Sequence, residues 1–388
     1  MSKTTLSLRL SIIAAAIAGM SVVHAADPIN IGIVEVTPYA RVVAGVDYTS
    51  DLMNSGLQGS RFQTASNQWG ISYWGASVRV PLTDGWSGVA NLESGFGTNN
   101  GRTDDDGTLF NRRANVGISN ERFGALTVGN HLWIANDAID VDPMAHQWIG
   151  LNSLVGGRNW GYGPNTVLYT SPVFAGFQAS YMHMAGGVID SSRRGSGDGI
   201  SVAYSGGPLK LRLIADKIAD PYGRYTGGSV YGLGSQGEWR FSKEVLLGGT
   251  YDIGKARLFA GYNRITAPDA GYGTVAKWDN KAEQTWVGIN YKATSQLTLL
   301  GAAYQMKQDV SGKKSTLFSA GANYDWNKYF TMYLTVGGIN NNAISDSAVS
   351  MNGANNRALY YWNIACEGGA DCNGSDSYGA YAGFVLKF

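Results

Sequence analysis

The chain has 388 residues, and only 15% of them are charged, against roughly 25% in ordinary soluble domains. Lys and Arg total 30 against 29 Asp and Glu, a formal charge of +1 that argues against a nucleic-acid binder. The 44% apolar content excludes a disordered chain, and two cysteines are too few for a disulfide scaffold.

The first 25 residues read as an export signal. Lys3 and Arg9 precede an apolar stretch from Leu10 to Met20, and Val23-His24-Ala25 offers a cleavage point after Ala25. The apolar run is too short to cross about 30 Å of hydrocarbon as a helix. No later stretch approaches the length of a helical span. An exported soluble protein and a transmembrane β-barrel remain.

From residue 26 to 388 the pattern is alternation. In Pro38–Thr49, Ala40, Val42, Ala44, Val46 and Tyr48 share one face, and Tyr39, Arg41, Val43, Gly45 and Asp47 share the other. The period of two returns in Leu209–Leu213, Ala256–Tyr262 and Phe384–Phe388. Sixteen strands are predicted over 38–49, 67–82, 86–97, 109–119, 124–133, 165–171, 175–184, 199–206, 208–218, 237–252, 255–265, 281–292, 295–307, 315–325, 328–340 and 377–388. Short turns such as Thr83-Asp84-Gly85, Gly206-Gly207 and Gly254 alternate with long connections at 50–66, 98–108, 134–164, 185–198, 219–236, 266–280 and 341–376. Short turns at one end and long loops at the other mark an outer-membrane barrel rather than a sandwich. Closure follows because lipid offers no partner to an open sheet edge. Tyr48, Trp74, Trp86, Phe96, Tyr262, Tyr291 and Phe388 stand near strand ends, as interfacial girdles would.

If the apolar face meets lipid, the other parity lines the interior. That places Arg41, Arg79, Lys210, Arg212, Lys255, Arg257, Lys292 and Lys387 inside, against Asp47 and Glu93 on the strands. Asp137, Asp140 and Asp142 cluster in the long segment 134–164, with Arg158 further on. A basic wall opposite an acidic loop would set ion preference. The expectation is a water-filled pore of modest anion preference.

Several segments resemble the general (diffusion) porins of Gram-negative bacteria, of the β-proteobacterial type: Trp86–Gly97 (WSGVANLESGFG), Phe110–Gly117 (FNRRANVG), Phe123–Gly129, Tyr169–Phe177 and the hairpin Tyr251–Tyr262. The resemblance implies an all-β fold, a 16-stranded antiparallel transmembrane β-barrel with an inward-folded third loop. That loop would be the constricting segment 134–164. It also implies a homotrimer in the cell outer membrane, in contact with outer-membrane lipid and lipopolysaccharide. Phe388 would end an assembly signal read by the outer-membrane insertion machinery. By the family match Arg112 joins the pore wall, while Arg113, of opposite parity, would face a neighbouring subunit or the rim. Tyr73, Asn130 and Leu168 stand where the family usually places basic residues. Tyr73 beside Trp133, Trp148 and Trp160 makes a less ionic eyelet, which keeps open a channel preferring aromatic or organic anions. A plugged structural barrel or adhesin is the remaining alternative.

Cys366 and Cys372 lie in the last long segment and suit a loop disulfide in an oxidising compartment. Asp104-Asp105-Asp106 lacks the spacing of a calcium loop. His131 has no nucleophile motif around it, and neither an enzyme, a cofactor, a metal nor a nucleic-acid partner is expected.

Overall fold

The computed structural model describes residues 27–54, 57–104, 107–155, 161–187, 189, 192, 195–219, 241–266, 281–308, 314–342 and 377–388. The predicted signal peptide, Arg158, Trp160, Cys366 and Cys372 lie outside these residues. No described helix is long and apolar enough to cross a membrane.

Among the described residues, eighteen strands make one antiparallel sheet. They are β1 (Ile29–Ile31), β2 (Val34–Asn54), β3 (Leu57–Ser66), β4 (Ser72–Pro81), β5 (Trp86–Phe96), β6 (Arg113–Asn120), β7 (Gly124–Leu132), β8 (Tyr162–Thr170) and β9 (Phe177–Met184). The remainder are β10 (Gly197–Gly206), β11 (Leu209–Ala219), β12 (Phe241–Ile253), β13 (Ala256–Thr266), β14 (Lys281–Lys292), β15 (Leu297–Gln308), β16 (Lys314–Asp325), β17 (Phe330–Asn342) and β18 (Ser377–Lys387). Short β1 folds back on the start of β2. The lower part of β2 pairs with β4 and its upper part with β3, so β3 and β4 fill one position between them. The result is a sixteen-position barrel, closed where β18 pairs with β2 from Gly379↔Thr49 to Lys387↔Arg41. Phe388 completes the seam: its N–H donates to the Ala40 carbonyl (3.0 Å), and the Ala40 N–H donates to the Phe388 carbonyl (2.8 Å).

The faces divide as the alternation requires. Val46, Tyr48, Leu211, Leu213, Val287, Ile289, Leu334 and Leu386 are exposed on the outside, while Asp47, Ile214, Trp286, Thr335 and Val385, of the other parity, are buried. The girdle aromatics Tyr48, Trp74, Tyr262, Tyr291 and Phe388 are exposed, and Trp86 stacks on Phe123 with ring centroids 5.9 Å apart.

The predicted strand over 67–82 and the predicted loop over 50–66 differ from the structure. Leu57–Ser66 is a strand, and a break at 67–71 separates it from β4. Asn67 (φ 63°) and Gly70 (φ 67°) take left-handed conformations that these two residue types tolerate. The break turns Gln68 and Trp69 toward the interior, where both find partners.

Between β7 and β8 the chain forms two 3-10 turns, Ile134–Val141 and Leu151–Val155. This segment packs along the inner face of the wall from β10 to β18 and contributes Trp133, Ile134, Ala138, Val141, Met144, Ile149, Leu151 and Leu154 to the buried core, where they meet apolar residues of the strands. Interior glycines make room for it. A Cβ on Gly199 would sit 2.4 Å from Ile134 Cγ2, one on Gly248 2.6 Å from Val141 Cγ2, one on Gly288 2.2 Å from Pro143 Cγ, and one on Gly337 2.5 Å from Ile149 Cγ2. These positions explain part of the chain's glycine content: a side chain there would expel the segment.

Candidate functional site

The interior has two unlike walls. The first is formed by β2, β4, β5 and the start of β6. Arg41, Tyr39 and Tyr73 share the inner parity of β2 and β4, and Arg41 and Tyr73 are register partners. Glu93, fully buried on β5, is the hub. Its carboxylate accepts from Arg112 Nε (2.6 Å) and from the Tyr39 hydroxyl (3.0 Å), and Arg113 Nε lies 3.8 Å away. Arg112 also covers the Tyr73 ring at 4.9 Å, and Arg41 covers Trp69 at 5.7 Å. Two guanidiniums thus share one carboxylate, and Arg41 adds a third positive charge on the same wall that Glu93 does not reach, which leaves an excess of positive charge there.

Arg113 corrects the sequence expectation. It pairs in register with Glu93 and lies on the interior side rather than at a subunit boundary. Arg112 precedes the strand and reaches the same carboxylate from the turn. Arg112 lies before β6 begins, so its reach to the interior does not fix the face of Arg113, which alternation with the outward Val116 and Ile118 puts inside.

The second wall, β10 to β18, carries the loop segment. Each turn of the segment is fastened to a different strand. Trp133 Nε1 donates to Asp216 (2.7 Å), and the Ser201 hydroxyl and Arg212 both donate to Asp137 (2.7 and 3.0 Å). Arg212 also binds Asp140. Trp286 Nε1 donates to the Val141 carbonyl (2.8 Å), Gln284 to the Leu151 carbonyl (2.8 Å) and Ser319 to the Ile149 carbonyl (2.9 Å). At the tip, Tyr381 donates to Gln147 (3.0 Å), Trp69 Nε1 to the Ala145 carbonyl (3.1 Å), and the Trp148 N–H to the Gln68 carbonyl (2.8 Å). Burial together with Arg112 and Arg41 pushes the His146 imidazole down to about 3, so this loop histidine is neutral at ordinary pH.

Two acids expected to line the pore do not meet open water. Asp142 is 1% exposed and spends its carboxylate inside the loop. It accepts from Tyr304 (2.6 Å) and from the backbone N–H groups of Met144 (3.1 Å), His146 (2.9 Å) and Leu151 (3.4 Å). Glu93 is sealed under its arginines. Asp137 and Asp140 are held by Arg212 on their own side of the lumen, so they do not face a basic wall across an opening.

The interior also holds acids that alternation missed. Besides Asp47 and Glu93, the inner parity carries Glu35, Asp216, Glu244, Asp252 and Asp325. Asp252 pairs with Arg257 (2.6 Å), and Glu244 accepts from Asn263 (2.6 Å). Arg212 and Arg257 are therefore balanced. Arg79 Nε donates to Ser87 (3.1 Å), and Lys210 is exposed to the interior near the short-turn end. The large basic excess expected of the whole wall contracts to the Arg41–Arg112–Arg113 cluster.

Tyr73 lies in that cluster, edge-on to Tyr39 with centroids 6.1 Å apart. Trp133 is buried beneath the loop rather than beside an opening. His131 is a buried strut between the Thr127 (2.8 Å) and Thr166 (2.6 Å) hydroxyls, with no nucleophilic partner arrangement. Among the described residues no cluster of His, Cys, Asp or Glu has the makings of a metal site.

A family model of Gram-negative porins matches residues 13–344. The chain belongs to the Gram-negative porin family. An outer membrane porin protein of Bordetella pertussis is 26% identical over 312 residues, covering 71% of this chain and 78% of that protein. Among solved structures, the anion-selective porin from Comamonas acidovorans superposes with a TM-score of 0.70 at 18% identity, over 92% of this chain and 100% of the other. OmpT of Vibrio cholerae, in its trimer form, gives a TM-score of 0.62 at 12% identity over 92% of this chain and 100% of that one. The protein is an outer-membrane porin: a closed barrel that passes small hydrophilic solutes and ions by passive diffusion. As a porin its short turns face the periplasm and its long loops the exterior.

Proposed function

We propose that this porin is weakly anion-selective and acts by exclusion alone, with no catalytic step. The observation that carries the reading is that Arg112 and Arg113 share the carboxylate of Glu93 on the wall that also holds Arg41, while the loop acids are balanced by Arg212. Fixed positive charge in a narrow, low-dielectric passage lowers the barrier for anions relative to cations. Segment 134–164 acts as the constriction, since its described part occupies lumen that the barrel alone would leave open. The working unit is a homotrimer, by likeness to trimeric neighbours of the same fold. Lipid and lipopolysaccharide surround it, and the terminal Phe388 engages the insertion machinery during assembly. Residues 1–25 are removed on export, and Cys366 and Cys372 form a loop disulfide.

A second reading, preference for aromatic or organic anions, is favoured by the Arg112–Tyr73 and Arg41–Trp69 stacks, which pair a cation with a ring face at the same wall. Proteoliposome assays decide between the readings. Swelling in neutral sugars together with faster chloride than potassium permeation supports the general anion-preferring pore. Inhibition of chloride flux by low concentrations of benzoate supports the substrate-preferring one. Strong potassium preference sinks both, and no swelling in any solute leaves a plugged barrel.

A further inference from the structure

The wall that carries the arginines has a cavity at its long-loop end. Past the end of β5 the chain runs on and turns back through a tight hairpin. The Gly97 N–H donates to the Arg102 carbonyl (2.9 Å), the Gly101 N–H to the Gly97 carbonyl (2.8 Å) and the Asp104 N–H to the Gly95 carbonyl (3.0 Å). Gly101 (φ 71°) supplies the left-handed residue that the turn needs. With the end of β3 this hairpin bounds a cavity of about 560 Å³, inside the size range of small-molecule sites. The lining is polar. Asn100 Oδ1 is taken by the Arg102 backbone N–H (2.9 Å) and Asn99 Oδ1 by the Ser66 hydroxyl (3.1 Å), so both amides are left with N–H groups to offer.

Asp104 joins this cavity to the arginines. Gly95 has the inner parity of β5, two residues beyond Glu93. A Cβ on Gly95 would lie 2.6 Å from Asp104 Oδ2 and 2.8 Å from Arg112 Cδ, so the two side chains meet over the one residue that leaves them room. Asn67 steadies the carboxylate: its Nδ2 donates to the Phe96 carbonyl (3.1 Å) and to Asp104 Oδ1 (3.4 Å). Among the described residues no cation lies in ion-pair contact with Asp104. Arg112 spends Nε on Glu93 (2.6 Å), which leaves most of its guanidinium donors over. A solute entering from the long-loop end therefore meets a carboxylate first and guanidiniums directly below it.

A lone carboxylate at this place works against the wall it guards, because it repels the simple anions that Arg41, Arg112 and Arg113 attract. The repulsion turns to attraction for a solute that carries a cation beside its carboxylate. We propose that the cavity and the Asp104–Arg112 step below it form a binding site for α-amino acids. The α-ammonium group donates to Asp104 and the α-carboxylate accepts from Arg112. An α-amino acid holds these two charges one carbon apart, which suits partners that meet over a single glycine. The side chain extends into the cavity, toward the amide N–H groups of Asn99 and Asn100 and the Arg102 guanidinium. These are donors, so acidic side chains fit best. The inference rests on the anion-preferring reading of the same wall, and it adds a preference that net charge alone would reverse. Glutarate has glutamate's skeleton and one more unit of net negative charge, so a merely basic pore would hold glutarate better.

The test is block of the potassium chloride current through single pores of the refolded full-length protein. Glutamate, glutarate or N-acetylglutamate is added to one side at a time, to the parent and to Asp104→Asn. The parent is expected to hold glutamate about three- to fivefold longer than glutarate, the range of a part-exposed ion pair, and to be blocked more readily from the long-loop side. N-acetylglutamate, which has no ammonium group, is expected to be held no longer than glutarate. Asp104→Asn keeps the shape of the side chain and is expected to lose the preference for glutamate while its chloride preference rises. Glutarate held as long as glutamate by the parent, or a glutamate preference that survives in Asp104→Asn, overturns the inference. Should the variant fail to refold, the parent decides alone: N-acetylglutamate held as long as glutamate contradicts the ammonium contact. The zero-current potential of the same pores separates this inference from the reading beneath it. An anion-selective parent that prefers glutarate ends this inference only, whereas a cation-selective parent ends both.

Discussion

The two walls of the lumen are built from opposite materials. Along β10–β18 small and apolar interior residues, among them Gly199, Ile214, Gly248, Leu246, Trp286, Gly288, Leu317 and Gly337, seat a polypeptide segment that polar neighbours such as Arg212 and Gln284 fasten. Along β2 and β4–β6 the interior residues are Arg41, Tyr39, Tyr73, Glu93, Arg112 and Arg113, and no segment covers them in the same way. One wall sets how wide the passage is; the other sets what charge the passing solute meets. A porin can therefore change selectivity and bore by mutating different strands.

The largest expected effect breaks the seat. Gly288→Leu puts a side chain where Pro143 Cγ would be 2.2 Å from its Cβ. The loop is driven off the wall into the lumen, and single-channel conductance is expected to fall severalfold while the barrel still folds. Unchanged conductance would mean that the seat does not control the bore.

Next comes the hub. Glu93→Gln leaves Arg112 and Arg113 without their counter-charge in a buried setting, at a cost of about 3–5 kcal/mol of stability. Melting in detergent should record that loss, and the surviving pores should be more anion-selective than the parent. A more cation-selective Glu93→Gln pore would contradict the assignment of charge to this wall.

A smaller effect is expected from Asp142→Asn, which weakens three hydrogen bonds that fold the loop back on itself and one that ties it to Tyr304 on β15. About 1–3 kcal/mol of local stability should go. The measurement is current noise: the variant should flicker between conductance levels, and protease sensitivity of the loop should rise.

The smallest expected effect is pH-dependent and again separates the walls. His146, at the loop tip between them, is pushed down to about 3 by burial and by Arg112 and Arg41. Released from its seat, the imidazole would titrate near its ordinary 6.5. Between these values the unseated state binds more protons, so seating weakens as pH falls from about 6.5 toward 3 and is unaffected above that window. Flickering should increase over this acid range in the parent and be largely removed in His146→Asn.

Much of the barrel was legible because lipid enforces alternation: the predicted strand 281–292 coincides with β14, and most others agree within a few residues. The hairpin at Leu57–Ser66 was not, since alternation fades where no lipid face is required, and the polar sequence there reads as loop. The site was less legible than the fold for a related reason. Under the seated loop the interior positions are apolar, as in β12, where Val245, Leu246 and Leu247 run together. Parity then loses its contrast, and Glu244 and Asp216 escaped notice as interior acids. Arg113 was misplaced because its face was referred to Arg112, which lies outside β6, instead of to Val116 and Ile118 within it. Arg41 and Glu93 lie well inside β2 and β5 and share the inner parity that alternation assigns them, although Glu93 is buried instead of meeting open water.

The central claim is that unbalanced guanidinium charge on the β2–β6 wall sets ion preference. Its most direct test is the zero-current potential of single pores in a potassium chloride gradient, compared between the parent and Arg112→Glu. The account predicts an anionic sign for the parent and a shift toward cation selectivity, or full reversal, in the variant. A parent already cation-selective, or a variant with an unmoved potential, would contradict it.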